Sequence, residues 1–321
     1  MIVQLESVTK EFRSSGHRVT ALDGVDLQLS EDQSVALVGE SGSGKTTLGQ
    51  LLVGLEQATT GEISVDGSPV RRPTDIAGRV QMVFQDPFAS FNPRHTIGQS
   101  ISKALSIQLR CSAAEAGREA VEALEAVGLY PGADFMARMP NELSGGQRQR
   151  ASIARAVGGG ARLIVADEPT SMLDVSVASQ MLRLFRALAG RGVSYLFITH
   201  NLAVARYIAD RIVVLYRGVI VEDGPVDAVI GHPSHPYTRL LLDSTPDPER
   251  GHRARPPVPE ETTEMALDDL SDRRRWCVFA ARCPHRSPAC AAPVALRPRA
   301  GGGQVRCVLP EAAGTAGGDD V

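Results

Sequence analysis

A chain of 321 residues with 43% apolar and 22% charged side chains can bury a sizeable core, and it exceeds one small domain. Its formal net charge of −3 gives no strong field favouring nucleic acid or an anionic membrane, and no apolar run approaches the roughly 20 residues that cross a bilayer. Five cysteines in a chain this long do not make a secreted disulfide framework, and residues 1–10 lack a signal-peptide core, so a cytoplasmic location is expected. Only three of the 34 basic residues are lysines, Lys10, Lys45 and Lys103, so each stands out.

In chain order, residues 2–12 and 19–29 alternate with period two and read as extended. An apolar strand at 35–39 ends in glycine and feeds a helix over 45–54. Strands are expected at 62–66 and 80–85. The pattern from 96 to 127 is mainly helical, with breaks near Cys111 and Gly128, and a further helix is expected over 146–157. Residues 163–167 form an apolar strand ending in acids. Helix, strand and helix follow at 175–189, 194–199 and 202–209, then a hairpin over 211–224 turning at Arg217-Gly218. Such alternation predicts an α/β fold with a largely parallel sheet, interrupted by an inserted helical subdomain over about 88–155. The expected organisation is a main domain at 1–230, a linker at 231–264, a cysteine-bearing module at 265–310 and a disordered tail at 311–321.

Gly39-Glu40-Ser41-Gly42-Ser43-Gly44-Lys45-Thr46 fits the phosphate-binding pattern G-x-x-x-x-G-K-[ST], directly after a strand and before a helix. Glycines let successive backbone N–H groups turn onto phosphate oxygens, and the helix start adds its positive dipole end. Lys45 supplies a point charge for the β- and γ-phosphates, and Thr46 a hydroxyl for Mg²⁺. The strand at 163–167 delivers the companion acids. Asp167 is placed to hold Mg²⁺, and Glu168 to orient and deprotonate a water.

Leu143-Ser144-Gly145-Gly146-Gln147 resembles the signature of ABC-type ATPases, and the other motifs of that superfamily occur in the right order over residues 1–230. The resemblance implies a RecA-like parallel sheet with an antiparallel β subdomain and an inserted helical subdomain. It implies ATP and Mg²⁺ as ligands, with Gly39 through Thr46, and Thr47 beside them, around the nucleotide. Phe12 is then an adenine-stacking residue, with Val19 as an alternative contact. Gln85 approaches Mg²⁺ and the attacking water, and His200 the γ-phosphate. Ser144, Gly145, Gly146 and Gln147 close over the nucleotide of a partner chain, and Asp174 lines that interface. Met172 departs from the small residue usual at its position.

Residues 81–94, with His235-Pro236-Tyr237-Thr238 and Leu240-Leu241, resemble ATP-binding subunits of oligopeptide and dipeptide importers, closer to their F-type subunit. That subfamily also includes nickel and some sugar importers. The resemblance implies a second ATPase subunit, identical or paralogous, two permeases, and an extracytoplasmic solute-binding protein reached through them. It implies a peripheral position on the cytoplasmic face of the membrane and no nucleic acid. Phe88 and Phe91 are expected to receive a coupling helix of a permease.

Cys277, Cys283, Cys290 and Cys307 follow a C-x5-C-x6-C-x16-C spacing without the close pairs usual for zinc. A [4Fe–4S] cluster, which the subfamily resemblance implies, a zinc ion, or free thiols are all open. Arg273, Arg274, Arg275, Arg282 and Arg286 are candidates to offset thiolate charge. A non-transport ATPase with a redox-sensing cysteine site stands as the other reading.

Overall fold

The computed structural model of the protein describes residues 2–14, 17–76, 78–88, 90–244 and 276–310. The expected disordered tail at 311–321 lies outside the described residues, as does most of the expected linker. The part of that linker at Pro236–Ser244 is a helix.

Two sheets form the frame. The smaller is antiparallel, in the order β2-β1-β4-β5, from β1 (Val3–Ser14), β2 (His17–Leu29), β4 (Thr60–Val65) and β5 (Ser68–Pro69). The larger has the order β11-β12-β10-β9-β3-β8-β7-β6. Its parallel centre comprises β3 (Ser34–Val38), β6 (Val80–Val83), β7 (Leu163–Asp167), β8 (Ser194–Thr199) and β9 (Arg211–Tyr216). β10 (Val219–Pro225) turns back against β9 at Arg217-Gly218, as expected. The short β11 (Arg297–Pro298) and β12 (Gln304–Val305) extend this edge, with Glu222 opposite Val305 and Asp223 opposite Gln304.

The central strands β3, β7 and β8 are buried along their whole length because both their faces are covered. On β3, Val35 and Leu37 pack into one cluster with Leu48, Leu51 and Leu52 of α1 (Lys45–Leu52) and with β1 and β2. Ala36 and Val38 face the opposite cluster. There lie α2 (Ile97–Leu109), α3 (Ala113–Ala126), α4 (Gly132–Met136), α5 (Gly145–Val157), α6 (Val175–Ala189), α7 (Leu202–Ile208) and α8 (Val226–Gly231). The same cluster takes in Tyr237 of α9 (Pro236–Ser244) and Cys277, Phe279 and Cys290 of the C-terminal module.

Capping boxes set the helical block. Thr96 with Gln99 opens α2, Ser112 with Glu115 opens α3, and Ser144 with Gln147 opens α5. The break near Cys111 falls where Arg110 turns left-handed at φ 53°, and the break at Gly128 has φ 80°. One expectation is corrected here. Phe88 is exposed, but Phe91 is buried, because it packs into the core under the Arg155 guanidinium, 5.0 Å from its ring centroid.

Candidate functional site

The C-terminal ends of the parallel strands converge on the loop between β3 and α1. Its shape depends on glycine at two places. A Cβ on Gly39 would stand 2.2 Å from the Leu215 carbonyl, and Gly44 combines φ +104° with the Ala21 carbonyl 2.5 Å from its Cβ position. The loop is thus pressed between β9 and β2. Ala21 lies two residues from Val19, which pairs with Phe12 across the β1–β2 hairpin. That places the aromatic candidate on the strand beside the loop.

Lys45 is buried, and its Nζ donates to the carbonyls of Gly39 at 2.8 Å and Glu40 at 2.7 Å. Burial lowers its pKa, while Glu168, Asp167 and Glu40 pull the other way. The lysine therefore closes the loop on itself in this state, and its charge sits among three carboxylates.

Asp167, at the end of β7, is 5% exposed. Burial raises its pKa; the Thr46 hydroxyl, which donates to it, and Lys45 oppose that rise. A buried carboxylate bonded to a hydroxyl is a pair of hard oxygen donors, the set that suits Mg²⁺. Next along the chain, Glu168 has a left-handed φ of 42°. A non-glycine residue seldom adopts that conformation, and such strain clusters at functional sites. The turn points Glu168 toward His200, whose Nδ1 lies 3.2 Å from its Oε1, just past the end of β8.

The structure therefore brings Lys45, Thr46, Asp167, Glu168 and His200 together from three separate segments. Gln85 lies exposed two residues beyond β6. Ser144 and Gln147 bond each other's backbone N–H groups at the start of α5, at 3.2 and 3.0 Å. Gly146 packs against Val177 of α6, so the signature lies beside the loop that ends at Asp174. Asp174 caps α6 by accepting from the Val177 N–H at 3.0 Å, and that bond lowers its pKa. Around it, Met172 and Val175 are exposed apolar side chains.

The four C-terminal cysteines are free thiols, three of them buried. Burial pushes Cys277 up to about 11 and raises Cys283 and Cys307, so bare thiolates are disfavoured there. Backbone N–H groups of Phe279, His285 and Leu309 oppose that rise at Cys277, Cys283 and Cys307 respectively. Among the described residues, no group of three or more His, Cys, Asp or Glu side chains is arranged to hold a metal ion.

The expected charge offset at the cysteines is corrected for Arg282. Its guanidinium turns away to the phosphate loop, donating to Glu40 at 2.8 and 3.0 Å. Arg273, Arg274 and Arg275 lie outside the described residues. Tyr237 was also missed as a loop contact. Its hydroxyl accepts the Glu40 N–H at 2.8 Å, a bond spanning 197 residues that no local motif announces.

Comparison with known proteins bears on the same segments. The family described as ABC transporter matches residues 22–171, and the oligopeptide/dipeptide transporter C-terminal region matches residues 221–290. A Brucella ovis protein, provisionally named a peptide import ATP-binding protein, is 40% identical over 299 residues, or 91% of this chain and 92% of that protein. A second so named, from Brucella abortus, is 39% identical over 303 residues, covering 90% and 88%. Among solved structures, the dimeric ATP-binding cassette MJ0796, in a post-hydrolysis state with ADP and Pi, superposes with a TM-score of 0.64. It is 30% identical and covers 70% of this chain and 99% of its own.

Proposed function

The chain belongs to the ABC transporter family and hydrolyses ATP on an α/β P-loop fold, and on that premise we propose that it energises an importer of oligopeptides or dipeptides. It acts as one of two ATPase subunits bound to two permeases on the cytoplasmic face of the membrane, and a solute-binding protein delivers the peptide from outside. The observation that carries the peptide reading is the match of residues 221–290 to the oligopeptide/dipeptide transporter C-terminal region. Among the described residues no helix is long and apolar enough to cross a membrane.

The proposed steps use the residues of the site. Lys45 exchanges its two loop carbonyls for phosphate oxygens when ATP enters, and the N–H groups of residues 41–46 line the phosphates. Phe12 and Val19 face the base. Thr46 and Asp167 would hold Mg²⁺, joined by Gln85, and the ion would offset phosphate charge. Glu168 takes the proton of the attacking water, while His200 holds the Glu168 carboxylate and reaches the γ-phosphate. Ser144 to Gln147 and Asp174 meet the partner subunit's nucleotide. Exposed Met172 and Val175 support that interface, since apolar side chains beside Asp174 gain from being covered.

Cys277, Cys283, Cys290 and Cys307 are the proposed ligands of a [4Fe–4S] cluster. Four free thiols in one small module support it. Anaerobic purification should yield a brown protein with iron and sulfide in near-equal amounts; a colourless protein carrying one zinc rejects the cluster.

The transport reading is tested by recovering the Glu168→Gln chain from native membranes in ATP and identifying its partners by mass spectrometry. Two permeases and a peptide-binding protein are expected. A nickel- or sugar-binding protein replaces the peptide assignment, and ribosomes or no membrane protein overturn transport.

A further inference from the structure

The second residue of the phosphate loop is an acid. Glu40 puts a negative charge where a polyanion must bind, close enough to Lys45 to act on its charge. That carboxylate is part-exposed but paired. Arg282 of the C-terminal module grips it through two parallel N–H···O bonds, Nη1 to Oε2 at 2.8 Å and Nη2 to Oε1 at 3.0 Å. A planar guanidinium fork fixes both the charge and the direction of a carboxylate, which a lysine ammonium does not. Nη1 also lies 3.4 Å from the Tyr216 hydroxyl.

The backbone of the same residue is held from the same side. The Glu40 N–H donates to the Tyr237 hydroxyl at 2.8 Å. Tyr237 is fully buried, in a cluster with Tyr216 at 4.5 Å and Phe279 at 5.5 Å between ring centroids. Phe279 and Arg282 belong to one tight segment, in which Arg282 N–H bonds the Phe279 carbonyl and Ala280 N–H the Cys277 carbonyl. Cys277 and Cys283 bracket that segment. One short turn therefore carries two thiols together with the two side chains that reach the phosphate loop or its aromatic support.

We propose that Arg282 is a positioning residue for ATP binding, through which the cysteine module neutralises and orients Glu40 in the phosphate loop. Without Arg282, the Glu40 carboxylate faces the incoming phosphates and competes for Lys45.

The test uses the full chain carrying Glu168→Gln, so that nucleotide is retained, titrated with a fluorescent ATP analogue. Arg282→Ala is expected to weaken binding about threefold to tenfold, as suits a part-exposed bidentate pair, and Arg282→Lys to recover part of the loss. In the Glu40→Gln background the same Arg282→Ala change is expected to cost less than about twofold, because the charge it screens is gone. With Glu168 intact, the loss should appear in KM for ATP more than in kcat. Unchanged affinity for Arg282→Ala overturns the proposal. So does an equal loss in both backgrounds, which assigns Arg282 directly to phosphate. Should Arg282→Ala fail to fold, Arg282→Lys and Glu40→Gln carry the same comparison. Failure of the parent to bind the analogue counts against the ATP site itself and not against Arg282.

Discussion

The two ends of the larger sheet's story are built by different means. At one end, the candidate nucleotide residues sit in short contiguous stretches, 39–47 and 167–168, placed by the ends of β3 and β7. At the cysteine flank, each feature depends on partners far away in sequence. Glu222 of β10 is fully buried and meets Arg299 at 3.4 Å, and Arg299 also donates to the carbonyls of Ala228 and His232. The first region is the proposed nucleotide site; the second is a packed joint in which charge is paired inside the protein. The lesson is that chemistry here is local in sequence, while its support is not.

The sharpest way to separate the two is to change each alone. Glu168→Gln is expected to lower ATP turnover by about a hundredfold to ten-thousandfold while leaving ATP binding and urea unfolding near those of the parent. Phosphate release and nucleotide titration measure this, and normal turnover removes Glu168 as the base. Next in size, Arg299→Ala leaves the Glu222 carboxylate buried without its cation. It should cost about 3–5 kcal/mol in urea unfolding. A loss below about 1 kcal/mol would erase the contrast between the regions.

The smallest effect concerns pH. Burial drives the His235 pKa from 6.5 down to about 3; its Nδ1 accepts the Tyr237 N–H at 3.0 Å, and its Nε2 has no partner among the described residues. Below pH 6.5 the unfolded chain takes up a proton that the folded chain refuses until about pH 3. Stability from this group is thus present at neutral pH and lost as pH falls through that window. The neighbouring Glu222, raised by burial, acts in the opposite sense, so the comparison must be made between variant and parent. The melting gap between parent and His235→Gln should narrow by roughly 2–4 °C between pH 7 and pH 5. A constant gap would show that His235 is not held neutral.

This contrast also explains what the sequence disclosed. The strand-glycine-helix order announced the phosphate loop, and apolar strands buried on both faces marked the parallel sheet. Ser144 suited a helix N-cap, and the structure adds Gln147 as its capping-box partner. Phe91 misled, because a phenylalanine in a turn-rich stretch carries no sign of which way it packs. Arg282 misled for a related reason. Its neighbours in sequence are cysteines, but its partner Glu40 is 242 residues away. The strands β11 and β12 have two residues each, too few for any alternation to register.

The pairing of β12 with β10 has a consequence for life in a crowded cell. Without residues 297–305, β10 would be the last strand on its side of the sheet, offering unpaired N–H and C=O groups to any passing strand. Glu222 would lose its Arg299 partner at the same time, since both come from this ribbon's attachment. A chain cut short before residue 297 would therefore be prone to self-association through an open edge, and its failure would show as insolubility before it showed as lost catalysis.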